Sequence, residues 1–194
     1  MKMKSIGPPL LATHRLLVRM AGVTDIAAVV DYYQRNRDFL APFEPARPDE
    51  FFTKFFWQVQ LERSLIDFEH DQSLRLFIFE QAQPHIVIGA INFNQFFRGP
   101  LQAGVVGYSL AEAKQQQGYM LEALTVSIDY LFTDRNFHRI TANYMPRNQR
   151  SGNLLKNMGF VVEGYARDYI LINGNWEDHI LTSLTNLNWQ AHSQ

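Results

Sequence analysis

Residues 115–120 combine a glycine with the start of a predicted helix, an arrangement that can hold a phosphate group. The segment follows a Gly- and Val-rich strand predicted over 102–110 and precedes an amphipathic helix predicted over 119–133. The first N–H groups of a helix have no acceptor within the helix, and the helix dipole adds about half a positive charge there. Gly118 lets a ligand oxygen approach the backbone closely, because glycine has no Cβ. The spacing therefore predicts an anion site, such as a site for a diphosphate.

Other reactive groups are missing from the sequence. There is no cysteine, which excludes disulfides, thiolate metal ligands and a cysteine nucleophile. No G-x-S-x-G sequence supports a serine nucleophile. The histidines are scattered without metal-binding spacing, so no metal is expected; they are His14, His70, His85, His138, His179 and His192.

Composition indicates one globular domain over residues 1–194, since 46% of the residues are hydrophobic and 19% are charged. The net charge of −1 argues against general nucleic-acid binding. No signal peptide follows the first lysines, and no apolar run is long enough for a membrane span. We therefore expect a cytoplasmic protein.

Charge is nevertheless distributed unevenly along the chain. Between residues 44 and 71, seven acidic residues face three basic ones, whereas between 135 and 167 six basic residues face one acid. Solvated faces are the usual explanation of such runs. The functional alternative is one face for an anionic ligand and another for a basic partner.

Hydrophobic periodicity places these features on an α+β fold with a mixed sheet and helices on both faces. Asn173-Gly174 predicts a hairpin, Asn148 is a candidate helix cap, and Gly159 is placed to end that helix in the left-handed conformation. Strands are predicted over 14–21, 74–80, 86–93, 102–110, 139–144, 160–172 and 176–187, and helices from 24 or 25 to 37 and over 49–71, 119–133 and 148–158, with a proline-rich loop over 41–48.

Several motifs together resemble the GNAT acetyltransferase superfamily. Q-x-x-G-x at residues 115–119 is similar to its cofactor signature and is followed by E-A-L at 122–124. N-x-x-S at 148–151 and M-G-F at 158–160 resemble its second signature. The resemblance spans nearly the full chain and implies a mixed, mostly antiparallel sheet flanked by helices on both faces.

Within that superfamily the resemblance is narrowest to the enzymes that acetylate the N-terminal alanine of ribosomal protein S5. It is carried by PFEP at 42–45, RG at 98–99, HRITANYMP at 138–146, RSG at 150–152, EGYA at 163–166 and DH at 178–179. This resemblance implies acetyl-CoA as co-substrate and an S5-like protein N-terminus as acceptor, with the ribosome as a further partner to test. It leaves the choice between monomer and dimer open.

The resemblance also implies direct attack of the free amine on the thioester. An α-amino group has a pKa of about 7.7–8.0, so a modest base suffices, and backbone N–H groups at the end of the 102–110 strand would stabilise the oxyanion. Arg147, Arg150 and Lys156 would then lie near the cofactor phosphates. The implied cofactor-binding residues are Tyr108, Ser109, Leu110, Gln115, Gln116, Gln117, Gly118, Tyr119, Met120, Asn148 and Ser151.

Two positions depart from the superfamily pattern. Met120 stands where Gly or Ala is usual, and we expect its side chain to pack outward or into the core with its amide available. Leu155 occupies the position of the frequent tyrosine general acid. The acid must therefore be another group or be absent.

The candidate catalytic residues are Ser151, Glu44 and Asp168. Ser151 would protonate the departing thiolate, unless its hydroxyl bonds to local backbone. Glu44 would receive or deprotonate the amine, unless it is a loop carboxylate in water. Asp168 is a further candidate base, as is Asp178, although either could serve strand pairing. Tyr108 and Tyr165 would line the pocket.

Three functions stay open at this point. The first is acetylation of the N-terminus of a ribosomal protein, whose basic tail the acidic 44–71 region would attract. The second is acetylation of a small amine, such as an amino acid, a polyamine or a drug. The third is a binding module that keeps the CoA pocket but acts as a ribosome-associated factor without turnover.

Overall fold

The computed structural model describes residues 7–191, which form an eight-stranded sheet with helices on both faces. The strands are β1 Leu10–Ala12, β2 Leu16–Arg19, β3 Leu74–Glu80, β4 Gln83–Phe97, β5 Ala103–Leu110, β6 Arg139–Tyr144, β7 Val161–Ile172 and β8 Asn175–Thr185. The helices are α1 Ile26–Arg35, α2 Arg37–Leu40, α3 Lys54–Glu69, α4 Tyr119–Thr133 and α5 Gln149–Asn157.

The strands follow the order β1-β2-β3-β4-β5-β6-β8-β7. Neighbours are antiparallel except β5 and β6, which run parallel because α4 connects them. The prediction of a mixed, mostly antiparallel sheet is confirmed.

Alternating side chains on the central strands build a core on each face of the sheet. Leu76 and Ile78 of β3 contribute to one core, whereas Phe77 and Phe79 contribute to the other. The first core packs against α4 and α5, and the second packs against α1 and α3. The predicted apolar face of α4 is buried in the first core: Met120, Leu124, Ile128 and Leu131.

Short-range signals predicted most local features well. Asn173 and Gly174 have φ values of 44° and 85°, as a two-residue type I′ hairpin requires. The Asn148 side chain accepts a hydrogen bond from Ser151 N–H and so caps α5, and Gly159 beyond its end has φ 85°. The start and end of α4 coincide with the prediction.

Some boundaries differ from the predictions for identifiable reasons. The short strand β1 was not predicted, because its three residues carry no periodic signal. The Asp25 carboxylate does not cap α1, since it accepts from Gly22 N–H at 2.8 Å and pairs with Arg19. Thr53 instead caps α3, which begins after a short 3-10 turn.

Two further findings concern only residues 7–191. No helix there is both long and apolar enough to cross a bilayer, and no group of three or more His, Cys, Asp or Glu could hold a metal. His192 and the lysines before residue 7 lie outside the described residues.

Candidate active site

The site begins where β5 and β6 separate. The two strands pair at only three positions, from Ala103↔Arg139 to Val105↔Thr141. Beyond these pairs β5 continues to Leu110 and β6 continues to Tyr144, but the two strands no longer pair with each other. A cavity of about 480 Å³ opens at this gap, lined by residues 105–110 on one side and 143–145 on the other. Its volume is in the range of small-molecule sites.

The free edge of β5 presents backbone groups to this cleft. Ala111 N–H donates to Ile88 O on β4 at 2.8 Å, and Ser109 pairs with Ala90 of the same strand. Because backbone direction alternates along a strand, the N–H and C=O groups of Tyr108 and Leu110 point toward the cleft instead. Of the three predicted backbone positions, two therefore face the gap and Ser109 does not.

The residue 115–120 segment bends sharply before α4. Gln116 and Gly118 have φ values of 61° and 79°, and Gly118 is the N-cap of α4. The turn is braced by side chains, since Gln115 Nε2 donates to Leu110 O at 2.9 Å and Gln117 Nε2 donates to Ala113 O at 3.0 Å. No acceptor among residues 7–191 bonds to the N–H groups of 116–121. These consecutive free amides at a helix start form a suitable cradle for a diphosphate.

The cations beside this cradle are not the predicted ones. Arg15 lies 4.4 Å over the Tyr119 ring, donates to Gln117 O at 2.9 Å and pairs with Glu122 at 2.7 Å. Lys114 is also close, with its Nζ 5.8 Å from the centre of the Tyr119 ring. The carboxylate of Glu122 helps to fix Arg15 under the turn.

Arg147, Arg150 and Lys156, which were expected near the cofactor phosphates, make no side-chain contact with residues 115–120 among the described residues. Arg147 donates to Pro42 O at 2.8 Å and pairs with Glu177 at 2.9 Å. Arg150 stacks over Phe39, and Lys156 is exposed on the far part of α5. These contacts place both arginines beside the proline-rich loop, where Arg147 bonds to Pro42 and Arg150 lies over Phe43.

Met120 packs into the core and is only 7% exposed, while its side chain also borders the cavity. Its backbone N–H belongs to the free set of the loop. The side chain thus occupies space on the core side of α4, and it does not cover the amide.

Ser151 and Tyr108 form a hydroxyl pair in the cavity, with their oxygens 2.8 Å apart. Burial raises the pKa of Tyr108 to about 12, so its hydroxyl stays protonated at neutral pH. Among the described residues, the Ser151 hydroxyl does not bond to the backbone of its own helix turn. The alternative that Ser151 serves only the local backbone is therefore excluded. Tyr108 was expected to bind the cofactor and line the pocket, but its pairing with Ser151 was not expected, because the sequence gives no sign of a contact across 43 positions.

Glu44 lies in the cavity wall, with a side chain that is 19% exposed. Burial raises its pKa above the ordinary glutamate value, and the nearby Arg47 and Ser109 offset part of that rise. Ser109 Oγ in turn accepts a hydrogen bond from Tyr32 OH at 3.0 Å. The alternative of a loop carboxylate in water is therefore wrong.

Asp168 and Asp178 are not brought to the cavity. Asp168 is exposed, has φ 46° and lies in a bulge of β7, where its N–H donates to Asp178 Oδ1 at 2.8 Å. Tyr165 OH donates to the other oxygen of Asp178, and this bond holds the pKa of Asp178 below its usual value. The Asp178 carboxylate links Tyr165 to the bulge within the hairpin. Asp168, Asp178 and Tyr165 line no part of the cavity, so Asp168 is not placed to act as a base.

Other wall residues include one that the sequence analysis did not assign. His179 is 4% exposed and borders the cavity, with Nδ1 2.9 Å from Glu177 O. Asn148 also borders the cavity while capping α5. Leu155, at the position of the superfamily's tyrosine, is buried in the core and is 1% exposed.

The cleft joins the two faces of the sheet. Tyr108 points to the α4 and α5 side, where Ser151 lies, whereas Ser109 points to the α1 side and contacts Tyr32. A ligand on the turn before α4 and a ligand beside Glu44 would therefore approach β5 from opposite faces. Such an arrangement suits transfer of a group between two bound substrates.

Comparison with known proteins agrees with this geometry. The acetyltransferase (GNAT) domain family matches residues 15–161. The chain is 43% identical to the [ribosomal protein uS5]-alanine N-acetyltransferase of Escherichia coli K12 over 92% of each sequence. The crystal structure of a ribosomal-protein-S5-alanine acetyltransferase from Vibrio fischeri superimposes with a TM-score of 0.90 at 38% identity, covering 94% of this chain and 100% of that one.

A second solved structure is Mycobacterium smegmatis RimJ in complex with CoA-disulfide. It has a TM-score of 0.82 at 25% identity and covers 92% of this chain and 86% of its own. The family model and the relatives agree in sequence and fold, and the chain belongs to the GNAT acetyltransferase family.

Proposed function

We propose that the protein transfers the acetyl group of acetyl-CoA to the N-terminal α-amino group of a ribosomal protein, with the uS5 alanine as first candidate. The observation that carries this proposal is the cleft itself, which has free amides at one end and a partly buried carboxylate at the other. The Escherichia coli and Vibrio fischeri proteins named above support the choice of acceptor.

Acetyl-CoA would bind along the unpaired edge of β5. The N–H groups of residues 116–121 would hold its pyrophosphate, which suits the positive end of the α4 dipole. The edge groups of Tyr108 and Leu110 would hold the pantetheine arm and the thioester. Leu110 O already accepts from Gln115, so Leu110 would contribute mainly its N–H.

The acceptor amine would enter from the α1 side and meet Glu44. With a pKa of about 7.7–8.0, an α-ammonium group loses its proton readily near neutral pH. The Glu44 carboxylate would hold the ammonium and accept that proton, directly or through water. The neutral nitrogen then attacks the thioester carbon, and an N–H donor of β5 stabilises the negative oxygen.

Collapse of the tetrahedral species breaks the C–S bond and releases the coenzyme as a thiolate. Ser151 would give this sulfur its proton, while Tyr108 holds the serine hydroxyl in position. The proton that the attacking nitrogen gives up would return through water to Ser151, which restores its hydroxyl. The products are an acetylated amine and the free thiol of coenzyme A. We place the reaction in the cytoplasm, where both substrates are present.

Simple steering of a basic tail by the acidic 44–71 region is less well supported than the sequence indicates. Asp71 pairs with Arg98 and Arg135 at 2.5 Å, Asp49 pairs with Arg37 and Asp67 pairs with Arg63. Intramolecular pairing leaves less charge for a partner.

The proposal is tested by incubating the protein and acetyl-CoA with ribosomal proteins from a strain that lacks this enzyme. Intact-mass spectrometry should show one acetyl group on the N-terminus of one small-residue-terminated ribosomal protein. A parallel reaction with amino acids, polyamines and aminoglycosides measures the small-amine alternative. Faster turnover of any of these amines than of the ribosomal protein would reject the proposed acceptor, and turnover of neither would favour the binding module.

A further inference from the structure

The acceptor side of the cavity carries more positive than negative charge. Arg47 and Arg150 both border the cavity, and Glu44 is the carboxylate that borders it with them. Arg47 Nη2 lies 3.4 Å from Glu44 Oε2, whereas Arg150 pairs with no carboxylate of the described residues. The Arg150 guanidinium instead lies 5.2 Å over Phe39 and 5.7 Å over Phe43.

A third guanidinium stands directly behind this wall. Arg75 Nε donates to Asn92 Oδ1 at 3.1 Å, and Asn92 borders the cavity. Burial lowers the pKa of Arg75, and the like charge of Arg47 lowers it further. Within residues 7–191 no carboxylate lies at ion-pair distance from Arg75, although the charge of Asp67 offsets part of the fall in its pKa. An arginine nevertheless stays charged in a protein, so this interior charge persists.

Binding of an α-ammonium group would increase the imbalance. Glu44 can neutralise one positive charge, and the incoming amine would compete for it with Arg47. Partly buried charges without a counter-ion are costly, and a ligand that supplies the missing anion removes that cost. Planar guanidinium groups bind carboxylates especially well, because two N–H donors match two oxygens.

We propose that the acceptor polypeptide carries an Asp or Glu residue close to its amino terminus, and that Arg47 and Arg150 bind the carboxylate of this residue. This inference rests on the proposed function. Arg47 lies within 3.4 Å of the carboxylate that would receive the amine. An extended chain advances about 3.3–3.6 Å per residue. The acidic residue is therefore expected at position 2, 3 or 4 of the acceptor. This arrangement selects peptides over simple monoamines.

The test uses hexapeptides with N-terminal alanine that differ only at positions 2 to 4, each carrying one Glu or the isosteric Gln. At one position Glu should raise kcat/KM about tenfold over Gln, as one charged hydrogen-bonding pair allows. Arg47→Gln and Arg150→Gln should each reduce the Glu/Gln ratio of kcat/KM to about one. Arg150→Glu should reverse the charge preference, so that a peptide with Lys at that position reacts faster than the Glu peptide. Arg63→Gln is the matched control, because Arg63 is exposed on α3 and should leave the ratio unchanged.

The outcomes separate this inference from the function on which it rests. Efficient acetylation of every peptide with equal kcat/KM for Glu and Gln would overturn the inference alone. A loss of coenzyme A affinity in Arg150→Gln with an unchanged Glu/Gln ratio would also overturn it, because Arg150 would then serve the cofactor. Absence of turnover on all peptides would remove the proposed function and the inference together. Arg75 is left unaltered, since it packs over Trp57.

Discussion

Replacing Ser151 with alanine should slow acetyl transfer and also lower the stability of the fold. Both effects are expected because the hydrogen bond between Ser151 and Tyr108 positions the proposed proton donor and satisfies the Tyr108 hydroxyl. The Ser151 and Tyr108 oxygens are 2.8 Å apart, and burial raises the pKa of Tyr108 to about 12. Ser151→Ala removes the proposed proton donor and leaves the Tyr108 hydroxyl without a partner. Tyr108→Phe removes only the group that orients the serine.

The magnitudes follow from the chemistry of the leaving group. General acid catalysis contributes about 10²–10⁴-fold, but a thiol with a pKa of about 8.5 leaves well unprotonated. We therefore expect Ser151→Ala to lower kcat about 10–100-fold, which is at or below the bottom of that range. Tyr108→Phe loses one hydrogen bond of about 0.5–1.5 kcal/mol and should lower kcat about 2–10-fold. The double variant should be no slower than Ser151→Ala.

Stability gives a second readout of the same pair. An unsatisfied buried hydroxyl costs about 1–3 kcal/mol, and the hydroxyl pair is partly buried beside the cavity. Ser151→Ala should therefore lower the free energy of unfolding by about 1 kcal/mol, at the lower end of that range. Adding Tyr108→Phe removes the orphaned hydroxyl and should recover part of the loss. Urea unfolding of the four proteins measures this coupling.

The kinetic assay follows the coenzyme A thiol with an aromatic disulfide reagent. The protein contains no cysteine, so it adds no thiol background. If the fold reduction in kcat of the double variant equals the product of the two single-variant reductions, Tyr108 and Ser151 act independently. An unchanged kcat in Ser151→Ala would refute the assignment of Ser151 as the proton donor.

Three further predictions concern the rest of the site. Glu44→Gln should lower kcat/KM about 100-fold for a peptide acceptor. Because burial raises the folded-state pKa of Glu44, the stability of the wild-type protein falls as pH rises through that pKa. Thermal unfolding should therefore show the variant to be more stable than the wild type at about pH 7 and equally stable near pH 4. Gly152→Ala should lower the free energy of unfolding by about 1 kcal/mol, because a Cβ there would lie 2.7 Å from the Tyr144 ring and the cost of this clash, about 1–3 kcal/mol, exceeds the gain in helix propensity of about 0.5–1 kcal/mol; unchanged urea unfolding would contradict this packing. Asp168→Asn should leave kcat/KM within about twofold, since its exposed side chain sits in a bulge at φ 46° that Asn tolerates; a large loss would return Asp168 to the reaction.

Local signals made the cofactor side of the site predictable. The start of α4, the bend at Gly118 and the cap of α5 each depend on residues within a few positions of one another. Hydrophobic alternation likewise fixed the sheet class, because each strand must bury one set of side chains on each face.

The positions of the remaining site residues depend on contacts between distant parts of the chain, which the sequence does not reveal. The Ser151 and Tyr108 pair joins α5 to β5, and the position of Glu44 depends on how the proline-rich loop folds back beside Ser109. Asp168 was misassigned because the bulge in β7 shifts its register, and no alternation in the sequence marks that shift. The site at the phosphate loop involves Arg15, which lies 102 positions from Gln117.

A substitution at Gly118 would change the backbone as well as the phosphate site. At φ 79° any side chain would strain the backbone, so Gly118→Asp would mix strain with charge repulsion. A measurement that leaves the loop unaltered is therefore more informative.

The most direct measurement is a ¹⁵N–¹H NMR titration of the wild-type protein with coenzyme A and, separately, with pantetheine, which lacks the pyrophosphate. Coenzyme A should shift the amide protons of residues 116–121 strongly, as expected for N–H groups that gain a phosphate acceptor. Pantetheine should shift Tyr108 and Leu110 but leave 116–121 near their free positions. Saturating coenzyme A that leaves the 116–121 amides unmoved while shifting others would show that the cofactor lies elsewhere.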